Sequence, residues 1–251
     1  MKLIHRPASE RGQFENDWLK ARYSFSFSSY QDPQWVNFGQ MRVLNHDVVQ
    51  PARGFAPHSH QDMEIITYVI QGAVEHQDSM GNREIIRAGE VQVMSAGSGV
   101  QHSEVNPSST ELLELFQIWV FPAEKGIRPR YEQMAFPPQE RVGRLEPMVS
   151  PMGQGGPLSV QQNFYLQGGV LEVGQEVQHR PQTQHVWLQV ARGHIEVEGQ
   201  KLGPGDGLGL DFSDQPEADG PASASSATSP LRLEPFRIKA LQAAEFIVLE
   251  S

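Results

Sequence analysis

Two short pairs of residues in this sequence could together hold a metal ion. His58 and His60 stand two positions apart in GFAPHSH, and His102 and Glu104 stand two positions apart in GVQHSEVN. In a β-strand, side chains at i and i+2 point to the same face, so each pair offers two ligands to one side of its strand. Three neutral imidazoles and one carboxylate form a ligand set for a divalent transition metal, and coordination positions remain for water, substrate or dioxygen.

A second acidic residue competes with Glu104 for the carboxylate position. Glu64 lies four positions after His60, and an even spacing along one strand would keep it on the same face. The set of His58, His60, Glu64 and His102 is therefore an alternative. We prefer Glu104 because it is paired in register with His102.

The remaining histidines have no ligand partner at i+2 among them, and we expect surface or hydrogen-bonded structural roles. They are His5, His46, His76, His179, His185 and His194. Six further strand residues near the two pairs are candidates for a pocket wall, although ordinary core packing is the stronger expectation for each. They are Phe55, Met63, Ile65, Met94, Gln117 and Trp119.

Composition excludes several classes of function. The net charge of -10 disfavours direct binding to nucleic acid or to an anionic membrane surface, which need clustered Lys and Arg. Cysteine is absent, which excludes disulfides, thiolate catalysis and sulfur-ligated zinc. No apolar run approaches the ~20 residues of a transmembrane helix, and the N-terminal MKLIHRPASERG lacks the apolar stretch of a secretory signal. We expect a cytoplasmic protein, with a monomer as the preferred state.

Short alternating runs of apolar residues predict an all-β fold. Examples are YSFSFSSY, ELFQIWVF and EFIVLES, and turn-forming Gly, Pro, Asn and Asp separate them. The segment DSMGN at 78–82 predicts a hairpin turn in which Gly81 is free to take a positive φ. Many short strands at this spacing are typical of a sandwich or barrel such as a jelly roll.

An internal repeat predicts two copies of one β-module. VIQGAVE at 69–75 resembles VARGHIE at 190–196, and IRAGE at 86–90 resembles LGPGD at 202–206. We counted the distance in sequence from the turn glycines of the first copy to its four candidate ligands. The same distances from the turn glycines of the second copy lead to other residues. These residues are His179, Pro181, Ala218 and Gly220. The second module therefore cannot assemble the four-ligand site.

Two stretches of altered composition divide the chain. The Pro- and Gly-rich segment 126–157 indicates the connection between the modules, with the alternative that its part around Arg130 to Met134 continues the first module. The segment SDQPEADGPASASSATSP at 213–230 is rich in Ser, Ala and Pro and predicts a mobile insertion in the second module. We therefore predict a metal-binding domain over residues 1–135 and a second domain without metal ligands over 136–251.

The segments around the candidate ligands resemble the two motifs of the pirin family, a branch of the cupin superfamily. GFAPHSHQDMEIITYVIQG and GNREIIRAGEVQVMSAGSGVQHSEVNP carry the resemblance, and YSFSFSSYQDP and FGQMRVLNHDVVQP are similar to N-terminal segments of the family. The resemblance implies a bicupin, with two jelly-roll-like β-barrel domains in one chain. It also implies one mononuclear metal in the first barrel, held by His58, His60, His102 and Glu104.

The resemblance implies two functions that the ligands do not separate. Some bacterial pirin-like proteins act as quercetin 2,3-dioxygenases, which implies a metal-dependent enzyme that cleaves the heterocyclic ring of a flavonol, with dioxygen as co-substrate. In such a reaction Glu104 is our candidate for the general base, on condition that it loosens from the metal. Animal pirin is described as an iron-containing nuclear coregulator, which implies a metal- or redox-responsive protein-binding module without catalysis. A metal-polarising isomerase is a third alternative. Iron is the preferred metal, with Cu, Mn, Ni, Co or Zn as alternatives because the same donors accept them.

Overall fold

The computed structural model describes residues 1–214 and 233–251, and most of them lie in β-strands. The strands of the first half are β1 (Lys2–Arg6), β2 (Gly12–Glu15), β3 (Leu19–Tyr23), β4 (Met41–Val49), β5 (Gly54–His60), β6 (Glu64–Gln71), β7 (Ala73–Asp78), β8 (Arg83–Arg87), β9 (Glu90–Ser95), β10 (Val100–Val105), β11 (Leu113–Val120) and β12 (Arg130–Ala135). Those of the second half are β13 (Arg144–Pro151), β14 (Leu158–Val160), β15 (Tyr165–Leu171), β16 (Glu176–His179), β17 (His185–Arg192), β18 (Ile195–Val197), β19 (Gln200–Leu202), β20 (Gly207–Asp211), β21 (Phe236–Ala240) and β22 (Ala244–Glu250). Two short 3-10 helices span Ala8–Glu10 and Pro138–Arg141, and none of the described helices is long and apolar enough to cross a membrane.

The first half is a sandwich of two antiparallel sheets. One sheet has seven strands in the order β12-β9-β6-β11-β4-β3-β2, and the other has four in the order β5-β10-β7-β8. The two sheets face each other across a hydrophobic core. Val69 of β6 belongs to the same core cluster as Val74 of β7 and Ile86 of β8. This arrangement confirms the predicted all-β, jelly-roll-like fold. Within the described residues no sheet closes on itself, so the half is a sandwich and not a closed barrel.

The second half repeats this architecture. Its seven-stranded sheet has the order β1-β20-β17-β22-β15-β13-β14, and its four-stranded sheet has the order β16-β21-β18-β19. Strand β1, at the start of the chain, lies in this second sandwich because it pairs with β20, with Leu3 opposite Leu210. The domain division near residue 135 stays a prediction. The structure shows in addition that strand β1, although it precedes the first sandwich in the sequence, belongs to the second.

The two seven-stranded sheets pack against each other through one shared hydrophobic core. Ile66 and Tyr68 of β6 belong to the same cluster as Trp187 and Ile247 of the second half. Alternate residues of β6 face the interior of the first sandwich, so both faces of this strand are buried. This explains why its sequence EIITYVIQ is almost continuously apolar instead of alternating.

Two sequence predictions concern the loops. The hairpin at 78–82 joins β7 to β8 as predicted, and Gly81 has a φ of 96°. The predicted mobile insertion at 213–230 lies, apart from its first two residues, outside the described residues. Ala218 and Gly220 lie there as well.

Candidate metal centre

One face of the sheet β5-β10-β7-β8 carries both pairs of candidate ligands. His102 on β10 lies opposite His58 on β5, and on its other side it lies opposite Asp78 on β7. Strand alternation places His60 on the face of His58 and Glu104 on the face of His102. Pairing of β5 with β10 therefore brings together side chains from two distant stretches of the sequence.

A β-bulge adjusts this pairing between the two ligands of β10. Its register shift places Phe55, instead of Ala56, opposite Glu104. The backbones approach closely here, because a Cβ atom on Gly54 would lie 2.2 Å from the carbonyl oxygen of Glu104. Bulges of this kind re-aim side chains next to functional sites. Glycine at position 54 is therefore a geometric requirement of the site.

The imidazoles of His58, His60 and His102 form a compact triangle. Their ring centroids are 4.8 Å apart for His58–His60, 4.4 Å for His58–His102 and 4.9 Å for His60–His102. One ring nitrogen of each lies within 4.8 Å of the corresponding nitrogen of the other two. A single divalent ion can be reached by all three.

The surroundings leave free lone pairs on these rings. In the neutral ring, Nδ1 of His58 donates a hydrogen bond to the carbonyl oxygen of Ala56 at 2.9 Å, so its Nε2 is unprotonated. Burial, reinforced by neighbouring imidazoles, lowers the pKa of His60 to about 4 and that of His102 to about 3. Nε2 of His102 is buried without a hydrogen-bond partner among the described residues. This donor set fits a transition-metal ion.

The carboxylate of Glu104 lies at the edge of the triangle. Nε2 of Gln117 donates to its Oε2 at 2.9 Å, and the hydroxyl of Thr67 lies 3.3 Å from its Oε1. Ligand atoms of Glu104, His102 and His76 lie within 4.8 Å of one another and form a second possible group of metal ligands. His58 and His60 form a group with His102 that does not include Glu104. The sheet thus brings the three predicted imidazoles together and holds the predicted carboxylate beside them.

Glu64 lies elsewhere, so the alternative ligand set is not brought together. The chain turns after His60, and Glu64 starts a different strand, β6, where it pairs with Ser95. The hydroxyl of Ser95 donates to Oε2 of Glu64 at 2.7 Å, and burial raises the pKa of this carboxyl group. Even spacing would place Glu64 on the face of His60 only if one continuous strand ran from 58 to 64, and the chain instead turns between β5 and β6.

A cavity of about 500 Å³ opens beside the imidazoles. Its apolar wall consists of Trp18, Phe27, Phe55, Ile65 and Trp119, and its polar wall includes Asn45, Asp47, Arg53 and Gln117. Four of the candidate wall residues therefore line the cavity: Phe55, Ile65, Gln117 and Trp119. Met63 and Met94 instead pack in a small core cluster around Val100, which agrees with the prediction of ordinary core packing.

Sequence reasoning missed several side chains of the site. Asn45 and Asp47 occupy alternate positions of β4 and face the cavity, and the signal was the alternation of these two polar residues in MRVLNHDVV. Burial, together with the charge of Glu104, raises the pKa of Asp47 to about 7, while Arg11 opposes this effect. His76 is fully buried and hydrogen-bonded to Asp78, within the structural role expected of it. These two form a third i, i+2 pair, which was overlooked.

Two cupin-like sandwiches in one chain, with a cluster of histidines inside the first, define a bicupin. The family model described as Pirin matches residues 5–120, and the model described as quercetinase C-terminal cupin domain matches residues 148–226. The chain is 46% identical over 206 residues to the quercetin 2,3-dioxygenase of Escherichia coli (strain K12), which covers 82% of this chain and 88% of that protein. The chain belongs to the pirin family, as the motifs predicted.

Further similar proteins agree with this assignment. A pirin-like protein of Caulobacter vibrioides is 39% identical over 210 residues, covering 83% of this chain and 90% of that protein. The crystal structure of the bacterial pirin YhhW of Escherichia coli in complex with nickel(II) superimposes with a TM-score of 0.85 at 39% identity, covering 99% of this chain and 98% of that one.

Proposed function

We propose that this protein is a metal-dependent dioxygenase that opens the heterocyclic ring of a flavonol such as quercetin. The observation that carries the proposal is a triangle of imidazoles with free lone pairs at the wall of a cavity that is lined by aromatic side chains. The name quercetin 2,3-dioxygenase of the Escherichia coli relative and the nickel(II) ion of the similar pirin structure support it.

The proposed ligands are His58, His60 and His102, with Glu104 as the fourth. A divalent transition metal bound there would supply Lewis acidity, which lowers the pKa of a coordinated hydroxyl group. Iron is the preferred ion, and Cu, Mn, Ni, Co and Zn suit the same donors. Glu104 is also the proposed general base, since Gln117 and Thr67 hold its carboxylate at the cavity wall, where it can accept the proton of the substrate's 3-hydroxyl.

The shape and polarity of the cavity suit a flat, hydroxylated aromatic molecule. Trp18 and Phe55 pack edge to face at 5.2 Å, and Phe27 and Trp119 do so at 5.3 Å, so that rings form two sides of the wall. Such apolar walls exclude water from the reacting ring. The side chains of Asn45 and Asp47 add oxygen acceptors for phenolic hydroxyl groups.

The proposed reaction consumes one dioxygen and releases one carbon monoxide for each flavonol. It begins with transfer of the 3-hydroxyl proton to Glu104. The resulting enolate is the electron-rich group that dioxygen attacks, and the ring then opens. The chain contributes the base, the orientation of the flat ring and a dry cavity.

The direct test is to load the purified protein with one defined metal at a time and follow flavonol absorbance and carbon monoxide under air. We expect turnover with at least one metal. The variant His102→Ala should lose both metal binding and turnover, whereas His194→Ala, an exposed histidine of the second half, should retain both.

Stoichiometric metal binding without turnover by iron, copper, manganese, nickel or cobalt would contradict the enzyme proposal. It would favour the alternative of a metal-responsive protein-binding module. A pull-down with metal-free and metal-loaded protein would then test that alternative.

A further inference from the structure

A chain of buried polar groups leads from the β7–β8 hairpin to His102. Oδ2 of Asp78 lies 3.0 Å from Nε2 of His76, and Nδ1 of His76 lies 3.5 Å from Nδ1 of His102. The side chains of His76 and Asp78 are fully enclosed, and His102 is 2% exposed. The opposite nitrogen of His102, Nε2, is the buried atom that has no partner in the described part of the chain.

Asp78 can only accept hydrogen bonds at this position. Its Oδ1 receives the backbone N–H groups of Met80 at 2.9 Å and Asn82 at 3.1 Å, and its Oδ2 receives the side-chain amide of Asn82 at 2.8 Å. Both carboxylate oxygens of Asp78 already accept hydrogen bonds from N–H donors, and His76 is the remaining partner, so Nε2 of His76 carries the hydrogen.

This arrangement determines where the protons of both imidazoles lie. With hydrogen on Nε2, the neutral ring of His76 has its lone pair on Nδ1. Nε2 of Gln92 donates to this lone pair at 3.2 Å, and Nδ1 of His102 faces it as well. His102 therefore carries its hydrogen on Nδ1, which leaves Nε2 with a lone pair.

We propose that Asp78 and His76 are positioning residues that select the Nδ1-protonated tautomer of His102 and so aim the Nε2 lone pair at the metal site. The role toward a metal rests on the proposed function, in which His102 is a ligand. The tautomers themselves depend only on the hydrogen bonds of the protein. His76 itself is a poor ligand, because Asp78 and Gln92 occupy both of its nitrogens.

The second half of the chain contains a matched control pair. Nε2 of His179 lies 2.9 Å from Oε1 of Glu250, and both side chains are buried. Within the described residues, neither belongs to a cluster of metal-ligating side chains. Glu250→Gln therefore disturbs a buried carboxylate–imidazole pair of the same kind without touching the chain that leads to His102.

The first experiment measures the tautomers in the metal-free, ¹⁵N-labelled protein by long-range ¹H–¹⁵N correlation of the imidazole rings. The variants His76→Gln and His102→Gln assign the two signals. We expect the Nε2-protonated form for His76 and the Nδ1-protonated form for His102. An Nε2-protonated His102 as the main species would overturn the proposal, and this readout requires neither metal nor activity.

The second experiment compares the affinity of the wild type and variants for Ni²⁺ alone by titration calorimetry. His76→Phe keeps a planar ring but accepts no hydrogen bond, and we expect it to weaken binding by about 10- to 100-fold. His76→Gln retains both an amide N–H for Asp78 and an oxygen for His102, and should recover most of this loss. Glu250→Gln should bind as the wild type does.

Two results would overturn the positioning role: unchanged affinity in His76→Phe, or an equal loss in His76→Phe and His76→Gln. A wild-type protein that binds no Ni²⁺ would contradict the proposed metal centre instead. The tautomer measurement would then still decide whether Asp78 and His76 orient His102.

Discussion

Each imidazole of the candidate centre owes its free lone pair to a different local cause. A backbone carbonyl holds the Nδ1 hydrogen of His58, burial disfavours protonation of His60, and the buried pair of His76 and Asp78 orients His102. Three independent constraints on three rings make the nitrogen cluster ready for a cation before one arrives. Such preorganisation reduces the entropic cost of binding.

Asp47 is a buried residue whose surroundings disfavour its charged form. Its pKa is raised to about 7 from a value of 3.8, so the folded protein binds more protons than the unfolded chain between these values. The stabilising effect of the neutral form is therefore fully present below about pH 4 and is lost as the pH rises through about 7. Because asparagine does not ionise, the variant Asp47→Asn should not lose this stability as the pH rises.

We expect metal-free Asp47→Asn to exceed the wild type in free energy of unfolding by about 2–4 kcal/mol at pH 8, and the difference to shrink toward pH 4.5. Urea denaturation at both pH values measures it. Asp17→Asn, at a side chain that is 74% exposed, is the control and should change little. A variant no more stable than the wild type at pH 8 would contradict the burial argument.

At the scale of elements, the order of strands β5, β10 and β7 builds the centre. Each strand contributes one i, i+2 pair to the same face, and β10 lies between the other two. The backbones of β5 and β10 approach closely beside the bulge, where Gly54 leaves space for the backbone of Glu104. The position of His58 and His60 relative to His102 therefore depends on a residue that has no side chain.

Gly54→Ala should separate β5 from β10, because its Cβ would lie 2.2 Å from a backbone oxygen that has little freedom to move. We expect at least about a tenfold loss in Ni²⁺ affinity and a lower melting temperature. Gly203→Ala is the control, since its added Cβ would approach side chains and no backbone atom: that of His194 at 3.2 Å and that of Asp206 at 3.8 Å. Unchanged metal affinity would show that the bulge does not position the histidine pair.

At the scale of the whole molecule, the shared core and charged contacts such as the cluster around Glu114 join the two sandwiches. Glu114 of β11 pairs with Arg192 of β17, and Oε1 of Glu114 also lies 2.6 Å from Nε2 of His46. Burial alone would raise the pKa of Glu114, but hydrogen bonds from Arg192 and His46 outweigh it and lower the pKa to about 2. The carboxylate therefore contributes stability above about pH 4.5, which is lost as the pH falls toward 2.

Glu114→Gln should lower the free energy of unfolding by about 2 kcal/mol at pH 7, because it leaves a partly buried guanidinium without its anion. Wild type and variant should converge as the pH falls below 4.5, as followed by urea denaturation. Glu146→Gln removes an exposed pair with Arg144 and should cost less than about 1 kcal/mol. An equal effect of both variants would show that the contact between the halves adds nothing beyond a surface pair.

Much of the fold and part of the site follow from local patterns in the sequence. Alternation along a strand is a property of a few consecutive residues, so the all-β class, the hairpin at 78–82 and the pairing of His58 with His60 could be predicted from spacing alone. The repeat of glycine-centred hairpins was sufficient to predict a second module. The third pair, His76 and Asp78, was equally visible but was not considered as part of the site.

Only the tertiary structure decided which side chains meet across strands. The turn after His60 removed Glu64 from the site, and the order of β5, β10 and β7 brought Asp78 to the side of His102. Trp18 and Asn45 reached the cavity from strands or loops remote from both motifs. Distances between strands depend on register and on the packing of sheets around a common core, which contacts between residues far apart in the sequence determine.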